Sequence, residues 1–347
     1  MTRIVVRRLI ASVTMLLLLT VATFTIFKTV KLEPACLRVY CGQGMTATPA
    51  QLRAIDHQLG ADRPVLTQVK EFVWRIVRHG SFGTSWQNYS IDDTLRLAMA
   101  QTASVLLGGA VVLLLLAIPL GIISARHPNT LLDRGILFGT IFGIALHPLI
   151  IGFLLRQTFG ATLHLLPVSG YCTLSTPHAI VLPPNAAHSA TIRSTIPCHG
   201  LGPWTSHMIL PWLTFAIFFL PLYVRLIRAR ILETFAEPYV ATARMKGASE
   251  PHVILRHVLR PALVPLTPMV AMDLGGALMT AIYLEVVFGL AGIGNLALRA
   301  LSPERAGYDL PLVAAVFFSV ATLIVVLNLV ADVVQGALDP RVRTAAT

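Results

Sequence analysis

Ionisable side chains inside long apolar stretches are the residues of this sequence that could do chemistry. Asp273 lies midway along one such stretch, and His147, followed by Pro148, lies in another. A charged group inside a bilayer is costly, so such residues are candidates for contact with a solute in transit. Together with Asp332, near the end of the last stretch, they could form a proton or cation path. The alternative, which we expect more often, is that Asp273 bonds to a neighbouring helix or subunit.

The sequence carries no motif that is typical of an enzyme. A phosphate-binding loop of the G-x-x-x-x-G-K-[ST] type is absent, because none of the lysines follows a glycine. No H-E-x-x-H motif occurs, and no nucleophile stands beside a base. We therefore predict neither a catalytic centre nor a cofactor, and the energy for any work must come from another protein.

The apolar stretches define the class of protein. Hydrophobic residues make up 55% of the 347 residues and charged residues only 12%, and the mean hydropathy is +0.73. This composition is far too apolar for a soluble domain, so we predict an all-α integral membrane protein. A spanning helix needs about 20 apolar residues. Six stretches qualify: Leu9 to Phe27, Leu97 to Ala125, Gly135 to Leu155, Met208 to Val224, Ala262 to Leu284 and Leu310 to Ala331.

The distribution of basic residues predicts the orientation. With both termini in the cytoplasm, about half of the 27 Lys and Arg residues fall in the short inner segments. The net charge of +11 then reflects topology and attraction to anionic lipid. No basic stretch is interleaved with aromatic residues in the manner of a nucleic-acid-binding surface. We therefore predict a lipid membrane as a partner and no nucleic acid.

All cysteines fall in predicted outer loops: Cys36, Cys41, Cys172 and Cys198. An even number on the oxidising side of a membrane favours disulfides, and four cysteines allow three pairings. We predict one disulfide within each loop, Cys36 with Cys41 and Cys172 with Cys198. The alternative is a metal site that uses three nearby histidines, His178, His188 and His199. Neither C-x-x-C nor His-x-x-x-His spacing supports that alternative.

The outer loop from Thr29 to Arg96 is predicted to hold two helices. A capping-box pattern at Thr48 to Gln51 begins the first helix, which Gly60 could end. The second runs from about Pro64 to His79 and is closed by Gly80. Its apolar stripe consists of Val65, Val69, Phe72 and Ile76. We expect this stripe to pack on the protein's own spans or to lie in the outer interface.

Residues 237–263, here called the charged segment, lie between the fourth and fifth apolar stretches. Pro238 suits the first position of a helix, because its missing N–H would be unpaired there. Arg244 and Lys246 stand at the C-terminal end, where the helix dipole favours positive charge. Gly247 then ends the helix, since the residue past a helix end often needs a positive φ. The pattern predicts a short helix held between two spans.

The run from Ala241 to Ser249, followed by His257 to Arg260, resembles the cytoplasmic-loop motif of ABC importer permeases. The variant is that of dipeptide, oligopeptide and nickel permeases. Further matches to the B-type subunit of this family follow in order: Gln58 to Pro64, Gly80 to Ser85, Leu166 to Tyr171, Glu285 to Phe288, Asn328 to Asp332 and Leu338 to Arg343. One such match would be a weak signal, but ordered matches along nearly the whole chain are a strong one.

The resemblance implies a type I ABC importer-like permease fold with six transmembrane helices, in the plasma (inner) membrane of a bacterium. It implies three kinds of partner: a second homologous permease subunit, two cytoplasmic ATPase subunits and an extracytoplasmic solute-binding protein. The solute would be a di- or oligopeptide or a related small solute such as a nickel chelate. The contact with the ATPase would involve these residues: Glu237, Ala241, Ala243, Arg244, Lys246, Gly247 and Ala248.

The sequence departs from the general permease motif at three positions. Ala241 stands where an acidic residue is usual, His257 where an aliphatic residue is usual and Arg260 where a proline is usual. These departures are similar to the peptide-permease variant. Glu237 is then the nearest acidic candidate for a contact with the ATPase. Within the membrane, Asp273 could bind the α-amino group of a peptide in transit.

The expected organisation is as follows: a first membrane helix at 1–28, an outer loop with short helices at 29–96, and a permease core at 97–343, with an outer insertion at 157–207 and an ATPase-coupling loop at 225–261. The competing class is an ion-coupled secondary transporter or channel that uses Asp273 and His147. Neither an inverted repeat nor a pair of broken helices supports this class. Dependence of uptake on ATP distinguishes the two.

Overall fold

The computed structural model describes residues 2–29, 57, 60, 62–86, 89–173, 196–197, 200–264, 266–301 and 309–338, and this part is mostly helical. The helices are α1 (Thr2–Thr29), α2 (Val65–His79), α3 (Ile91–Arg126), α4 (Leu131–Ala145), α5 (Pro148–Leu155), α6 (Leu201–Phe235), α7 (Pro238–Met245), α8 (Glu250–His252), α9 (Leu259–Leu263), α10 (Leu266–Phe288), α11 (Ile293–Leu301) and α12 (Leu310–Leu338). The other elements are π-helical segments at Arg156–Thr162 and Val253–Val258 and a two-stranded sheet of β1 (Cys172–Thr173) and β2 (Ile196–Pro197). The helix predicted between Thr48 and Gly60 falls outside the described residues.

Four of the described helices are long and apolar enough to cross a membrane, or five if Gly275–Phe288 and Ile293–Leu301 form one broken span. The four are Ile10–Thr29, Ile91–Arg126, Leu201–Phe235 and Leu310–Leu329. They coincide with the first, second, fourth and sixth predicted stretches. Most of the fifth stretch lies in α10, which runs from Leu266 to Phe288. Six spans with both termini in the cytoplasm therefore stay a prediction.

The third predicted stretch is not one helix. α4 ends at Ala145, and α5 begins at Pro148. His147 between them has φ −64° and ψ 143°, the extended conformation that a following proline imposes. Its imidazole Nδ1 accepts a hydrogen bond from the Leu149 N–H over 3.3 Å, so the side chain caps the new helix. Pro148 thus divides into two helices the third stretch, which was predicted as one helix because it contains no charged residue.

The described residues group into two compact units. Unit 1 draws on residues 1–102, 173–197 and 291–325, and unit 2 on residues 103–172, 198–290 and 326–347. Unit 1 has a core rich in aromatic residues, to which α2 contributes the predicted stripe. Val69 and Phe72 are buried there, and Val65 and Ile76 are partly buried. The prediction that the stripe packs on the protein's own helices is therefore confirmed.

The run from Gly80 to Ser85 ties α2 to the rest of unit 1. Gly80 has φ 60°, and its N–H donates to the Ile76 carbonyl over 2.9 Å, which ends α2. The Ser85 hydroxyl bonds to Asp309, whose other carboxylate oxygen accepts from the Leu312 N–H over 3.2 Å at the start of α12. Asp309 is buried, and burial raises the pKa of its carboxyl. This carboxyl therefore joins the run from Gly80 to Ser85 to the start of α12.

Unit 2 is built around α6, which packs against α4, α5 and α10. Two glycines of α3 lie under large side chains of α6, since a Cβ at Gly108 would collide with the Trp212 indole. A Cβ at Gly109 would lie 2.7 Å from the Phe215 ring. The Trp212 Nε1–H donates to the Ser104 carbonyl over 2.8 Å across the same contact. The small residues of α3 thus let these rings pack directly on the helix.

The sequence also predicts that Gly275 and Gly276 in α10 let another helix approach closely. A Cβ at Gly276 would meet nothing within 4 Å among the residues that the structure describes. The approach of a further helix at this position stays a prediction.

Candidate functional site

The charged segment forms the predicted helix, a glycine break and a second helical run. Glu237 is extended, with φ −73° and ψ 137°, and Pro238 occupies the first turn of α7. This start agrees with the expectation for proline at a position that needs no N–H. The second run begins after Ser249 with α8, continues through the π-helical segment Val253–Val258 and ends with α9. Two helical runs, α7 and the run from α8 to α9, therefore lie between α6 and α10.

Gly247 ends α7 with a pair of backbone hydrogen bonds. Its own N–H donates to the Arg244 carbonyl over 2.9 Å, and the Ala248 N–H donates to the Ala243 carbonyl over 3.2 Å. This pattern is the Schellman motif, in which the residue after the helix is left-handed. Gly247 has φ 79°, and a Cβ there would meet no atom within 4 Å. The requirement for glycine is therefore conformational, not steric crowding by neighbours.

Arg244 fastens the two helical runs together. Its Nε donates to Glu250 Oε1 over 2.7 Å, and its guanidinium lies 5.3 Å from the centre of the Phe235 ring, at the end of α6. Both members of the ion pair are about half exposed, so water screens the attraction and the pair contributes little to stability. The ion pair restricts the direction that the chain takes between Gly247 and α8.

α7 buries one face and exposes the other. Val240 and Ala243 are buried, and they face the run that contains the buried Val253 and Val258. Two large apolar residues of α7 are exposed, with exposed fractions of 44% for Tyr239 and 80% for Met245. Of the remaining candidates, Glu237, Ala241 and Lys246 are exposed, and Ala248 is half-buried.

An ionic cluster, not found by our sequence analysis, lies beside the part of α6 that leads to α7. Arg228 on α6 donates from Nε to Asp133 Oδ1 over 2.8 Å and from Nη2 to Asp133 Oδ2 over 2.7 Å. The Ser124 hydroxyl also bonds to Asp133 Oδ1, and the Asn129 N–H donates to Oδ2 over 2.9 Å. Asp133 is only 1% exposed. Four donors therefore surround one buried carboxylate.

These donors explain the charge state of Asp133. The Arg228 guanidinium, helped by Ser124 and the Asn129 N–H, holds the pKa of the Asp133 carboxyl well below its usual range, although burial acts in the opposite direction. A signal for this site was present in the sequence. Thr130 and Asp133 form a T-x-x-D capping box before an apolar run, and the Asp133 N–H does donate to Thr130 Oγ1 over 3.3 Å.

Asp273 is paired within unit 2. The Tyr223 hydroxyl on α6 donates to Asp273 Oδ2 over 2.7 Å. A narrow gap beside this pair is lined by Ala110, Phe215 and Val270. The carboxylate thus joins α6 to α10, and it is half-buried.

His147 is not brought to Asp273 by any contact in the described part of the chain. Besides capping α5, its exposed imidazole packs edge-on against Tyr283, with ring centres 4.6 Å apart. The structure therefore places the two membrane candidates with different tyrosines.

The predicted disulfides cannot be compared with side-chain positions. The backbone of Cys172 lies in β1, which pairs with β2. The Cys172 side chain falls outside the described residues, as do the whole of Cys36, Cys41 and Cys198 and the three histidines of the alternative metal site. Both pairings stay predictions.

Comparisons with known proteins place these features in a family. The family described as "Binding-protein-dependent transport system inner membrane component" matches residues 117–344, and its N-terminal counterpart matches residues 1–89. A putative peptide permease protein of Brucella suis biovar 1 (strain 1330) is 27% identical over 345 residues, 99% of each chain. A dipeptide transport system permease protein of Lactococcus lactis subsp. cremoris is 29% identical and covers 85% of this chain and 86% of that protein. An oligopeptide transport system permease protein of Bacillus subtilis is 26% identical and covers 97% and 98%.

A solved structure shares the fold. A chain of the MetNI methionine ABC transporter in an inward-facing conformation is similar with a TM-score of 0.52, covering 71% of this chain and 96% of that chain. The identity is 13%, so this likeness concerns the fold alone.

Proposed function

Because this chain belongs to the binding-protein-dependent transport system inner membrane component family, we propose that it is the permease subunit of an ATP-driven ABC importer for di- or oligopeptides. The printed functions of the Lactococcus and Bacillus relatives support the peptide class. A related small solute such as a nickel chelate is the narrower alternative. The chain itself supplies the pathway and no ATP hydrolysis.

The observation that carries this proposal is the construction of α7. Its inner face is fixed by the buried Val240 and Ala243, and its end is fixed by the Gly247 motif. Its exposed residues include the large apolar Tyr239 and Met245 and the positively charged Lys246. A short, held helix with exposed apolar side chains suits the surface groove of another protein. We infer that one of two cytoplasmic ATPase subunits contacts these side chains, and that Glu237 to Ala248 form the contact.

The remaining parts of the importer follow from the same family. Six spans of this chain, with both termini in the cytoplasm of a bacterium, would pair with those of a second homologous subunit in the inner membrane. The pathway would lie between the two subunits. Residues 1–28, 29–96 and 97–343 would then be the first span, an outer loop that meets the solute-binding protein and the permease core. Closure of the ATPases would turn the cavity from inward-facing to outward-facing.

Asp273 and His147 are our candidates for contact with the solute. The Asp273 carboxylate already holds one hydroxyl, that of Tyr223, and the α-amino group of a peptide is a donor that it could hold in the same way. An Asp273→Asn importer that transports peptides normally would remove this role. The Tyr223→Phe importer is the matched control, because it removes the internal partner and keeps the charge.

The function is tested by uptake of a labelled oligopeptide into proteoliposomes that contain both permease subunits and both ATPases, with binding protein added outside. We expect uptake to require ATP inside the vesicles. Uptake by the permease subunits alone, driven by a proton or cation gradient, would instead support an ion-coupled carrier. If the binding protein from the same operon retains nickel chelates and not peptides, the substrate class changes and the mechanism stands.

A further inference from the structure

We propose that Asp133 and Arg228 are positioning residues that join the turn between α3 and α4 to α6, so that the two move as one body when α7 is displaced. This proposal rests on the proposed function, in which an ATPase moves α7. It assigns a route by which a displacement of α7 reaches α3 and α4 through α6, and not through the rest of the charged segment.

The geometry of the ion pair restricts movement in two directions. Both carboxylate oxygens of Asp133 are engaged by the guanidinium, over 2.8 Å and 2.7 Å. Planar two-point contacts of this kind fix the mutual orientation of two helices as well as their distance. A single contact to an ammonium group would leave α4 free to rotate about it.

Asp133 holds more than one element at the same time. The Ser124 hydroxyl belongs to the last turn of α3, and the Asn129 N–H belongs to the turn that follows. Asn129 has φ 63°, a left-handed conformation that the hydrogen bond to Asp133 stabilises. One carboxylate therefore fixes the end of α3, the connecting turn, the start of α4 and the side of α6.

Arg228 is well placed to receive a displacement from α7. It lies seven residues before Phe235, the last residue of α6, and a helix rises about 1.5 Å per residue, so the lever is about 10 Å long. The prolines of α6 are Pro203, Pro211 and Pro221, all on the far side of Arg228 from α7. The intervening stretch thus retains its full set of backbone hydrogen bonds. Ile227 and Ile231 on this stretch are buried, so it is packed as well as continuous.

The same chain offers a control pair. Arg230 and Glu233, on the same stretch of α6, form an ion pair of 3.0 Å with exposed fractions of 42% and 64%. It is a contact between successive turns of one helix, so it joins no second element. Arg228→Lys and Arg230→Lys are therefore the same chemical change on the same stretch of α6. Only Arg228→Lys weakens a contact between two elements.

The first experiment measures the proposed rigid body in the wild-type importer. Spin labels are placed, as non-natural amino acids, at Leu131 on α4 and at Ala236 after α6, both of which are exposed. The distance between them is recorded in the nucleotide-free importer and with the ATPases closed by ATP and vanadate. A label pair on the two ATPase subunits reports that closure has occurred. We expect the ATPase distance to shorten and the Leu131–Ala236 distance to stay unchanged. A change in the second distance overturns the proposal, whatever the variants do.

The second experiment measures coupling. In Arg228→Lys, the ratio of ATP hydrolysed to peptide transported is expected to rise roughly tenfold, because one charge-assisted hydrogen bond no longer favours the joined arrangement. The Leu131–Ala236 distance should then differ between the two states. Arg230→Lys should leave both readouts at wild-type values. Asp133→Asn should behave as Arg228→Lys does.

An unchanged coupling ratio in a folded Arg228→Lys importer with bound ATPases overturns the proposal. So does equal uncoupling in Arg230→Lys, since the effect would then not depend on the bridge between elements. Failure of the proposed function has a different signature, namely absence of ATP-dependent peptide uptake by the wild type. Normal wild-type uptake together with a changing Leu131–Ala236 distance rejects the inference alone.

Discussion

α2 in unit 1 and α7 in unit 2 both end at a left-handed glycine, but α2 contributes a stripe to an aromatic core and α7 does not. Gly80 has φ 60° and Gly247 has φ 79°, and each ends an amphipathic or partly apolar helix. The stripe of α2 is buried in an aromatic core around Phe72, whereas α7 leaves Met245 exposed. A helix stop is thus a local property, and the fate of the helix depends on what packs against its faces.

The two units also treat a buried carboxyl differently. Asp133 in unit 2 is held ionised by a guanidinium, which keeps the pKa of its carboxyl below the usual range. Asp309 in unit 1 bonds to a serine hydroxyl and to backbone N–H groups, and burial raises the pKa of its carboxyl. One carboxyl therefore stabilises through its charge and the other through its hydrogen bonds. This difference determines how each should respond to substitution and to pH.

The largest expected effect comes from comparing truncation of a buried side chain in α2 with truncation of an exposed side chain in α7. Phe72→Ala should reduce the free energy of unfolding by about 4 kcal/mol, because the ring is 5% exposed and packs against Phe24 and Phe318. Met245→Ala should change it by less than about 0.5 kcal/mol and should instead weaken association with the ATPase. Thermal unfolding in detergent and co-purification of the ATPase give the two readouts. Equal destabilisation by both variants would contradict the comparison.

The next effect separates the two aspartates. Asp133→Asn should reduce the free energy of unfolding by about 3 kcal/mol, because it leaves the Arg228 guanidinium without its counter-charge in a mostly buried place. Asp309→Asn should cost about 1 kcal/mol or less, since the amide avoids the burial of a charge and can keep hydrogen bonds. Thermal unfolding of both variants at neutral pH measures the difference. A larger loss from Asp309→Asn would show that the assignment of charge is wrong.

The two helix-ending glycines offer a smaller and more local contrast. Valine at either position meets no neighbouring atom but must adopt a left-handed φ, which costs about 1 kcal/mol or slightly more. We expect Gly247→Val to block uptake and ATPase association while membrane insertion stays intact. Gly80→Val should lower stability by a similar amount and leave ATPase association unchanged.

Gly247→Asn is the matched control for this contrast, because asparagine tolerates the left-handed conformation better than valine. Its uptake should lie between those of the wild type and Gly247→Val. Wild-type uptake by Gly247→Val would show that α7 does not need its end to be held.

The smallest expected effect is on pH dependence. The pKa of Asp133 in the folded state is below its usual value of 3.8, so its contribution to stability is full above 3.8 and is lost only as the pH falls below it. The pKa of Asp309 is above 3.8, so the protonated form is favoured by folding, and stability from this group falls as the pH rises from 3.8 through the folded value. Unfolding temperatures of the wild type and Asp309→Asn should therefore diverge as the pH rises above about 4. The difference between the wild type and Asp133→Asn should stay constant over this range.

The elements that sequence analysis predicted well are those whose signals lie within a few residues. The 3.6-residue stripe of α2 and the stops at Gly80 and Gly247 depend on local backbone geometry, and all three are confirmed. The division at His147 and Pro148 had an equally local signal. It was missed because uninterrupted apolarity was given more weight than the proline.

The contacts that sequence analysis did not predict join residues far apart along the chain. Arg228 and Asp133 are separated by 95 positions, and Tyr223 and Asp273 by 50. Only the packing of α6 on its neighbours brings such pairs together, and a single sequence taken by itself contains no record of that packing.

Because α6 is long, its position should depend on the thickness of the membrane. Its 35 residues extend about 52 Å at 1.5 Å per residue, against a hydrocarbon layer of about 30 Å. Trp204 and Arg225, residue types that settle at the two interfaces, are 21 positions or about 32 Å apart. A helix anchored at both interfaces adapts to a thinner or thicker bilayer by tilting. The end of α6 that leads to α7 would then shift sideways, so we expect bilayer thickness to affect the contact that we propose between α7 and the ATPase.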